Sequence, residues 1–468
     1  MYLFYSKILK ESDNMINIQS DSRKIKQGDT FIAIKCEVND GHKYIEKAIE
    51  NGATKIIAEH GEYAVETEIV PNTRAYLNQY LKEHYNSYLD EMTLIAITGT
   101  NGKTTTAFLV YQALNKLGIK AGYIGTIGFY LQDKVVDLPN TSVDICDTYD
   151  LLMQAYDKGY KTVILEASSH ALANGRLETL AFDYTLFTNL TQDHLDYHKT
   201  MEQYAVAKKT LFTKLKPNGT AIVNFDDLYK NYYLLPDNKN ITYGFTGGDY
   251  NIVDFDLTAN GTNFTYSHKN KTNKIETKLI GRYNIYNALL AVCLLSEMGI
   301  EQEKINSVMK IIDTPAGRMD KIELGSNNII IDYAHTPDGL ENFISTVKEF
   351  TKGNIYIVFG CTGDRDRLKR PIMTEIVGKY AKKFIITNDD PHFEDPNQIV
   401  DDMLKEYNNN NYEICLDRKQ AIIKGINLLK QNDVLLILGK GHEEVMIVGK
   451  DRIPFNDKKI VLEYLRRW

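Results

Sequence analysis

Short apolar runs alternate along this chain with stretches of helical spacing. Leu94-Ile95-Ala96-Ile97, Thr162-Val163-Ile164-Leu165-Glu166, Asn328-Ile329-Ile330-Ile331-Asp332, Ile355-Tyr356-Ile357-Val358-Phe359, Phe384-Ile385-Ile386-Thr387 and Val434-Leu435-Leu436-Ile437-Leu438 each end in polar or glycine-bearing turns. That is the pattern of strands buried on both faces of a parallel sheet. Thr105 to Leu117, Met201 to Phe212 and the segment from Gly281 to Met298 carry helical periodicity. Residues 1 to about 92 predict a smaller α/β unit, with strands at Asp29 to Ile34 and Lys55 to Ala58 and a helix opening at Asp40-Gly41-His42-Lys43-Tyr44. From Tyr243 to Leu279 the alternation is that of antiparallel hairpins with a turn at Asn260-Gly261. Asp313-Thr314-Pro315-Ala316-Gly317-Arg318 reads as a hinge. The expectation is an α/β protein of three domains, 1–92, 93–313 and 314–468.

One turn carries the strongest chemical signal. Gly99-Thr100-Asn101-Gly102-Lys103-Thr104-Thr105 lies between a predicted strand and a predicted helix. Its backbone N–H groups and the helix dipole suit an anion, Lys103 can reach β- and γ-phosphates, and the Thr104 hydroxyl can ligate Mg²⁺. The usual G-x-x-x-x-G-K-[ST] pattern is incomplete, because Ile97 stands where its first glycine would be. A nucleoside triphosphate site is expected. Glu166, at the end of a predicted strand, is a candidate Mg²⁺ ligand, since ligands of open parallel sheets gather beyond the carboxyl ends of the strands.

Other segments leave alternatives open. Asp193-His194-Leu195-Asp196-Tyr197-His198 fits metal binding or catalysis, or a helix N-cap by Asp193. Lys208 shares the helical face of Ala205 and Phe212, yet periodicity alone favours a lysine snorkelling past the helix edge. Ser22, Arg23 and His42 sit in loops that suit an anion or plain solvent. The four polar segments after the C-terminal strands predict a second ligand-binding sheet.

Composition excludes several classes. Hydrophobic residues at 43% and charged residues at 25% are those of a soluble globular protein. A net charge of -7 argues against a general nucleic-acid binder. Cys36, Cys146, Cys293, Cys361 and Cys415 form no C-x-x-C pair, as in a reducing compartment. Met1-Tyr2-Leu3-Phe4-Tyr5 is too short for a signal peptide, and no run of about 18 apolar residues predicts a membrane span. A cytoplasmic setting is expected.

Taken together, Asp21-Ser22-Arg23, Thr98 to Thr106, Asn140-Thr141-Ser142, Glu166 to Leu172, Asp193 to His198, Ala207-Lys208, Gly281 to Asn287, Gly317-Arg318-Met319, Asp332 to Asp338, Gly363-Asp364-Arg365 and Gly439 to Glu443 resemble the Mur ligases, in the branch that adds the third residue of the peptidoglycan stem peptide. The order of these segments covers nearly the whole chain. The resemblance implies a UDP-substrate-binding domain, a central P-loop-type ATPase and a Rossmann-like C-terminal domain for the incoming amino acid. It implies ATP, UDP-MurNAc-L-Ala-D-Glu and a diamino acid as substrates, an acyl-phosphate intermediate and Mg²⁺; a monomer is expected.

Residue by residue, the resemblance assigns Thr104 and Glu166 to one Mg²⁺, and His194 and Lys208 to a second, with Lys208 carbamylated by CO₂. That replaces the snorkelling reading of Lys208. Asn287 and Arg318 would contact the nucleotide, and Asp332 and His335 its ribose or base. Ser22 and His42 match UDP-site positions; Asn140, Thr141, Ser142, Ser168 and Arg176 match the sugar–peptide part. Arg365, Asp389, Asp390, His392, Gly439 and Glu443 match the amino-acid site. Relatives that add meso-diaminopimelate typically show Asp-Asn-Pro-Arg, whose arginine grips the distal carboxylate, whereas this chain has Asp389-Asp390-Pro391-His392. Histidine lacks that fork, so L-lysine is favoured, with meso-diaminopimelate as the alternative. Folate polyglutamation shares the central loop but not the N-terminal Asp-Ser-Arg unit. A different Mur-like ligase, or a non-catalytic nucleotide-binding regulator, completes the alternatives.

Overall fold

The computed structural model describes residues 17–35, 39–258, 261–315 and 317–466. Met1 to Tyr5, Cys36, Asn260 of the expected turn and Ala316 of the expected hinge lie outside the described residues.

Near the N-terminus, β1 (Ile18–Gln19), β2 (Thr30–Ile32), β3 (Lys55–Ala58) and β4 (Glu66–Ile69) pair in that order, all parallel. Phe31, Ile56 and Ala58 bury one face of this sheet with Ile45 and Ala48 of the Ile45–Glu50 helix. The Thr73–Asp90 helix then leads to the central sheet, burying Leu77, Leu81, Tyr85 and Leu89 at helical spacing.

The central sheet comprises β5 (Thr93–Thr98), β6 (Ala121–Gly125), β7 (Gly128–Tyr130), β8 (Lys134–Val136), β9 (Thr162–Glu166), β10 (Phe182–Phe187), β11 (Leu215–Asn224), β12 (Lys239–Gly244), β13 (Tyr250–Thr258), β14 (Gly261–His268) and β15 (Lys271–Thr277). Their order is β15-β14-β13-β12-β11-β10-β5-β9-β6-β7-β8. Pairing is parallel from β13 to β6 and antiparallel at both edges. The sequence pattern anticipates the β13–β15 edge and misses the short β6–β8 edge. Strand β5 lies between β9 and β10, so the ends of both neighbours flank the turn that follows it. Two largely buried helices, Lys103–Lys116 and Arg282–Glu297, pack on one face.

The C-terminal sheet runs β16 (Asp320–Leu324), β17 (Asn327–Asp332), β21 (Val434–Leu438), β18 (Ile355–Phe359), β19 (Lys383–Ile386) and β20 (Tyr412–Ile414). Only β16 is antiparallel to its neighbour. Four of these strands match the apolar runs. β16 and β20 escape notice because they are edge strands whose exposed faces alternate or carry charge. Two further strands, β22 (Val445–Val448) and β23 (Asp451–Pro454), form a separate hairpin.

A fully buried ion pair holds the carboxyl ends of this sheet in place. The Arg418 guanidinium donates to Asp457 at 2.8 and 2.7 Å and to the carbonyls of Asn388 (3.2 Å) and Leu438 (3.0 Å). Both side chains are 0% exposed. Removing one partner strands the other charge in an apolar interior. Arg418→Ala is expected to destabilise the chain by about 3–5 kcal/mol, read as a lowered urea midpoint; an unchanged midpoint would refute that role for the pair.

Candidate active site

The turn after β5 is built around two glycines. Gly99 has φ +150° and Gly102 φ +87°. A Cβ on Gly99 would overlap the Thr188 hydroxyl, and one on Gly102 would overlap the Asn287 carboxamide, so both positions need glycine for space as well as for backbone angle. Part of the loop backbone is already bonded. Thr100 N donates to Asn189 O (2.8 Å), Asn101 N to Asn189 Oδ1 (2.9 Å), and Asn101 O accepts from Thr188 Oγ1 (2.6 Å). The first N–H groups of the Lys103–Lys116 helix then face any anion on the loop.

Two lysines converge on one carbonyl. Lys103 Nζ donates to Gly99 O and Thr100 O, both at 2.9 Å, and Lys208 Nζ donates to Gly99 O at 2.8 Å. Lys208 is 1% exposed and lies 4.4 Å from the centre of the Tyr204 ring. It does not snorkel, which corrects the reading from periodicity: the Met201–Phe212 helix turns this face inward, with Tyr204, Ala205 and Leu211 buried beside it. Burial, reinforced by the charge of Lys103, holds the Lys208 amine well below the usual lysine range.

Glu166 forms the other wall. Its carboxylate accepts from Thr104 Oγ1 (2.9 Å), Thr126 N (3.0 Å), Thr126 Oγ1 (3.1 Å) and the Tyr123 hydroxyl. Thr104 and Glu166 therefore present converging oxygen atoms, the donor type that Mg²⁺ takes. His194 and Lys208 as they stand make a poorer pair, because an amine bonded to Gly99 O is no oxygen ligand. His194 has φ +55° and itself begins the Leu195–His198 helix, so Asp193 is not that helix's N-cap. Burial lowers the His194 pKa to about 3, leaving the ring neutral and able to bind a cation.

The C-terminal domain meets the loop directly. Asn101 Nδ2 donates to Asp338 Oδ2 (2.9 Å), Thr336 Oγ1 to Asn101 Oδ1 (3.3 Å), and the buried Lys369 ammonium to Asp193 Oδ1 (3.2 Å). Arg318 lies with its guanidinium 4.6 Å from the Tyr333 ring centre. Both oxygens of Asp332 accept backbone N–H groups, from Met319 (2.7 Å) and Ala334 (2.8 Å). His335 is held by a contact between Nδ1 and Tyr333 O at 2.7 Å.

Among the amino-acid candidates, Asp389, Asp390 and Glu443 converge within 4.8 Å of one another. The Lys440 ammonium sits among them, 2.7 Å from Asp390, 2.6 Å from Glu443 and 3.9 Å from Asp389. Gly439 packs so closely on Asp389 that a side chain would collide with its carboxylate. His392, half-buried with φ +51°, has its backbone tied to Ile447 and Gly449, and Arg365 is exposed.

Among the candidates for the nucleotide-sugar substrate, Ser142 Oγ donates to Glu166 O (2.8 Å), Ser168 N donates to Ser142 Oγ (2.9 Å), and Arg176 donates to Ser142 O (2.9 Å). Thr141 meets Thr126 at 3.0 Å, while Asn140 is exposed. Ser22 is buried in the N-terminal unit. Both ring nitrogens of His42 have partners, Asp40 Oδ1 at 2.7 Å and Glu59 N at 2.9 Å, and its ring stacks on His60. Sequence reasoning gave no role to Tyr123, Thr126 or Lys369, nor to His442 within the Gly439 to Glu443 segment. Tyr123 and Thr126 lie on and beside a strand that the apolar pattern did not reveal, and Lys369 becomes significant only through Asp193, 176 positions earlier in the chain.

Three family profiles match in order: "Mur ligase family, catalytic domain" over residues 15–94, "Mur ligase middle domain" over 97–295, and "Mur ligase, glutamate ligase domain" over 317–441. The chain is similar to a protein of Bacillus cereus named UDP-N-acetylmuramoyl-L-alanyl-D-glutamate--2,6-diaminopimelate ligase, 39% identical over 97% of this chain and 94% of the relative. A relative of the same name from Aquifex aeolicus is 38% identical over 99% and 96%. A solved structure bearing that name superposes with a TM-score of 0.67 at 30% identity, covering 97% of this chain and 95% of the other. The fold is shared with a MurF ligase of Thermotoga maritima solved with ADP, at TM-score 0.68 and 18% identity over 92% and 94%.

Buried histidines make stability pH-dependent. Burial lowers His198 and His335 to about 4. Both bind protons in the unfolded chain, near the ordinary value of about 6.5, before they do so in the folded one. Their contribution is present above about pH 6.5 and is lost as pH falls towards 4. The thermal midpoint is expected to decline over that window, and His198→Gln to flatten part of the decline. A midpoint independent of pH between about 7 and 4.5 would contradict the burial of these rings.

Proposed function

The chain belongs to the Mur ligase family of ATP-dependent amide-bond-forming ligases, and we propose that it joins a diamino acid, L-lysine, to UDP-MurNAc-L-Ala-D-Glu in peptidoglycan synthesis. The observation that carries the reading is the phosphate loop with Lys103, Lys208 and the Thr104–Glu166 pair, joined to a C-terminal domain that holds the Asp389–Asp390–Glu443 cluster. In this reading residues 1–92 bind the UDP part, 93–313 bind ATP and 314–468 carry the amino acid. The enzyme acts as a monomer in the cytoplasm. Among the described residues no helix is long and apolar enough to cross a membrane.

A carboxylate is a poor electrophile until one of its oxygens can leave. The γ-carboxylate of the D-glutamyl residue attacks the γ-phosphorus of ATP, ADP departs, and an acyl phosphate remains. The amine of the diamino acid then attacks the acyl carbon and phosphate leaves. Gly99 to Thr105 cradle the phosphates, and Lys103 leaves its loop carbonyls to meet the β- and γ-oxygens. Mg²⁺ at Thr104 and Glu166 would neutralise phosphate charge. Asn287 and Arg318 contact the nucleotide, and His335, with Asp332 shaping the segment, borders its ribose or base. Ser22 and His42 receive the UDP part, and Asn140, Thr141, Ser142, Ser168 and Arg176 line the sugar–peptide part.

Lys208 is proposed to carry a carbamate. An amine whose basicity burial lowers more readily offers its lone pair to CO₂; the N–C bond forms, one proton leaves, and the product bears one negative charge. That oxygen-bearing group, with His194, would suit the second Mg²⁺. Lys208→Ala is expected to lose activity by at least about 10²-fold, with partial recovery on adding a short-chain carboxylate. Wild-type turnover in that variant would rule the carbamate out.

For the amino acid, the carboxylates of Asp389, Asp390 and Glu443 outnumber the Lys440 ammonium among them, which suits a distal ammonium, and His392 offers no fork for a distal carboxylate. The relatives' names favour the second reading, meso-diaminopimelate. Phosphate release with UDP-MurNAc-L-Ala-D-Glu and each amino acid decides between them. L-Lysine is expected to give the higher kcat/KM, and His392→Arg to shift preference towards meso-diaminopimelate. Turnover with neither would sink the whole reading.

A further inference from the structure

His442 stands at the junction of the two half-sites, and the activity just described leaves it without a role. Its Nδ1 is buried and has no hydrogen-bond partner, and the same is true of Arg318 Nε. Both side chains lie against Tyr333: the His442 ring centre is 5.3 Å from that ring, and the Arg318 guanidinium 4.6 Å. The backbone at His442 is wedged against Gly317, where any Cβ would overlap His442 N. The hinge glycine thus fixes where the imidazole sits.

On one side of His442 is the amino-acid cluster. Glu443 follows it in sequence, bonds Lys440 and accepts from the Tyr333 hydroxyl at 3.5 Å. On the other side is Thr126 of the central domain. The Thr126 backbone lies close enough to the ring to favour its protonation, against the larger effect of burial. Nδ1 is buried without a partner, and in the tautomer with hydrogen on Nε2 it holds an unused lone pair. Thr126 in turn bonds Glu166 and Thr141, which border the proposed metal and sugar–peptide sites. The bond between the two substrates has to form between these flanks.

We propose that His442 is a catalytic residue of the amide-forming step, its Nδ1 lone pair accepting a hydrogen bond from the attacking amine of the diamino acid. This rests on the ligase reading above. With one N–H held by Nδ1, the amine's own pair is aimed at the acyl carbon. That pair forms the N–C bond, and the carbonyl π pair moves onto oxygen. The π pair then returns, the bond from the acyl carbon to the phosphate oxygen breaks, phosphate leaves with the bonding electrons, and the amine's proton goes to phosphate. The imidazole stays neutral throughout. Burial and the neighbouring Arg318 charge lower its pKa to about 3, which keeps the lone pair available near neutral pH.

The test separates the two half-reactions. Acyl-phosphate formation is measured as ADP released in a single turnover from ATP and UDP-MurNAc-L-Ala-D-Glu without amino acid. Amide formation is measured as tripeptide product once L-lysine or meso-diaminopimelate is added. In His442→Ala the amide step is expected to fall by about 10²-fold, with acyl-phosphate formation reduced far less. His442→Asn places an amide oxygen near the position of Nδ1 and is expected to restore most of the loss; His442→Gln, whose amide lies further out, is not. An equal loss in both half-reactions, an unchanged amide step, or better recovery by Gln than by Asn would overturn the proposal. If the unsubstituted enzyme forms no acyl phosphate, the ligase reading fails instead.

Discussion

The Gly99 carbonyl receives two lysines, and much of the site follows from that. Lys103 and Lys208 both donate to it, in a pocket where Arg318 and Lys369 add further positive charge and Glu166 and Asp193 supply the facing carboxylates. Buried cations are costly unless met by anions or made neutral. The loop is therefore prepared for a polyanion. Lys103 and Lys208 both spend their N–H groups on backbone oxygen, and burial holds the basicity of Lys208 well below the usual lysine range.

That charge is coupled to the approach of the C-terminal domain. Lys369 reaches Asp193 beside His194, and Asp338 and Thr336 hold Asn101 within the loop itself. Anything that reorganises the loop is felt across the interface through these short polar contacts. The Arg418–Asp457 pair plays the corresponding part inside the C-terminal sheet. By binding the carbonyls of Asn388 and Leu438, it sets the two segments that follow, Asp389-Asp390 and Gly439-Lys440, at a fixed separation. The ammonium of Lys440 then finds three carboxylates.

The apolar runs located the central strands closely because strands buried on both faces must be continuously apolar. β3, β9, β18 and β21 coincide with the runs read from sequence. Edge strands such as β8, β16 and β20 have one face or one side in solvent and so lack that signature, and β7, only three residues long, is too short to show it. The glycine turn after β5 was legible for a related reason: positive φ at Gly102 and contact with Asn287 leave no room for a side chain, and the glycine records both.

What the sequence by itself determined was the α/β architecture, the glycine turn after β5 and, through the ordered motifs, the family. Local backbone geometry and burial periodicity constrain residue types at neighbouring positions, so both leave a readable trace. What only the tertiary structure decided was burial and partnership. Periodicity allowed Lys208 to snorkel, and the packing of its helix put it on Gly99 O instead. Nothing local linked Lys369 to Asp193, or His442 to Tyr333. Such pairings depend on how distant segments are brought together, and electrostatic cost in a shared interior is set by that assembly rather than by any one stretch of chain.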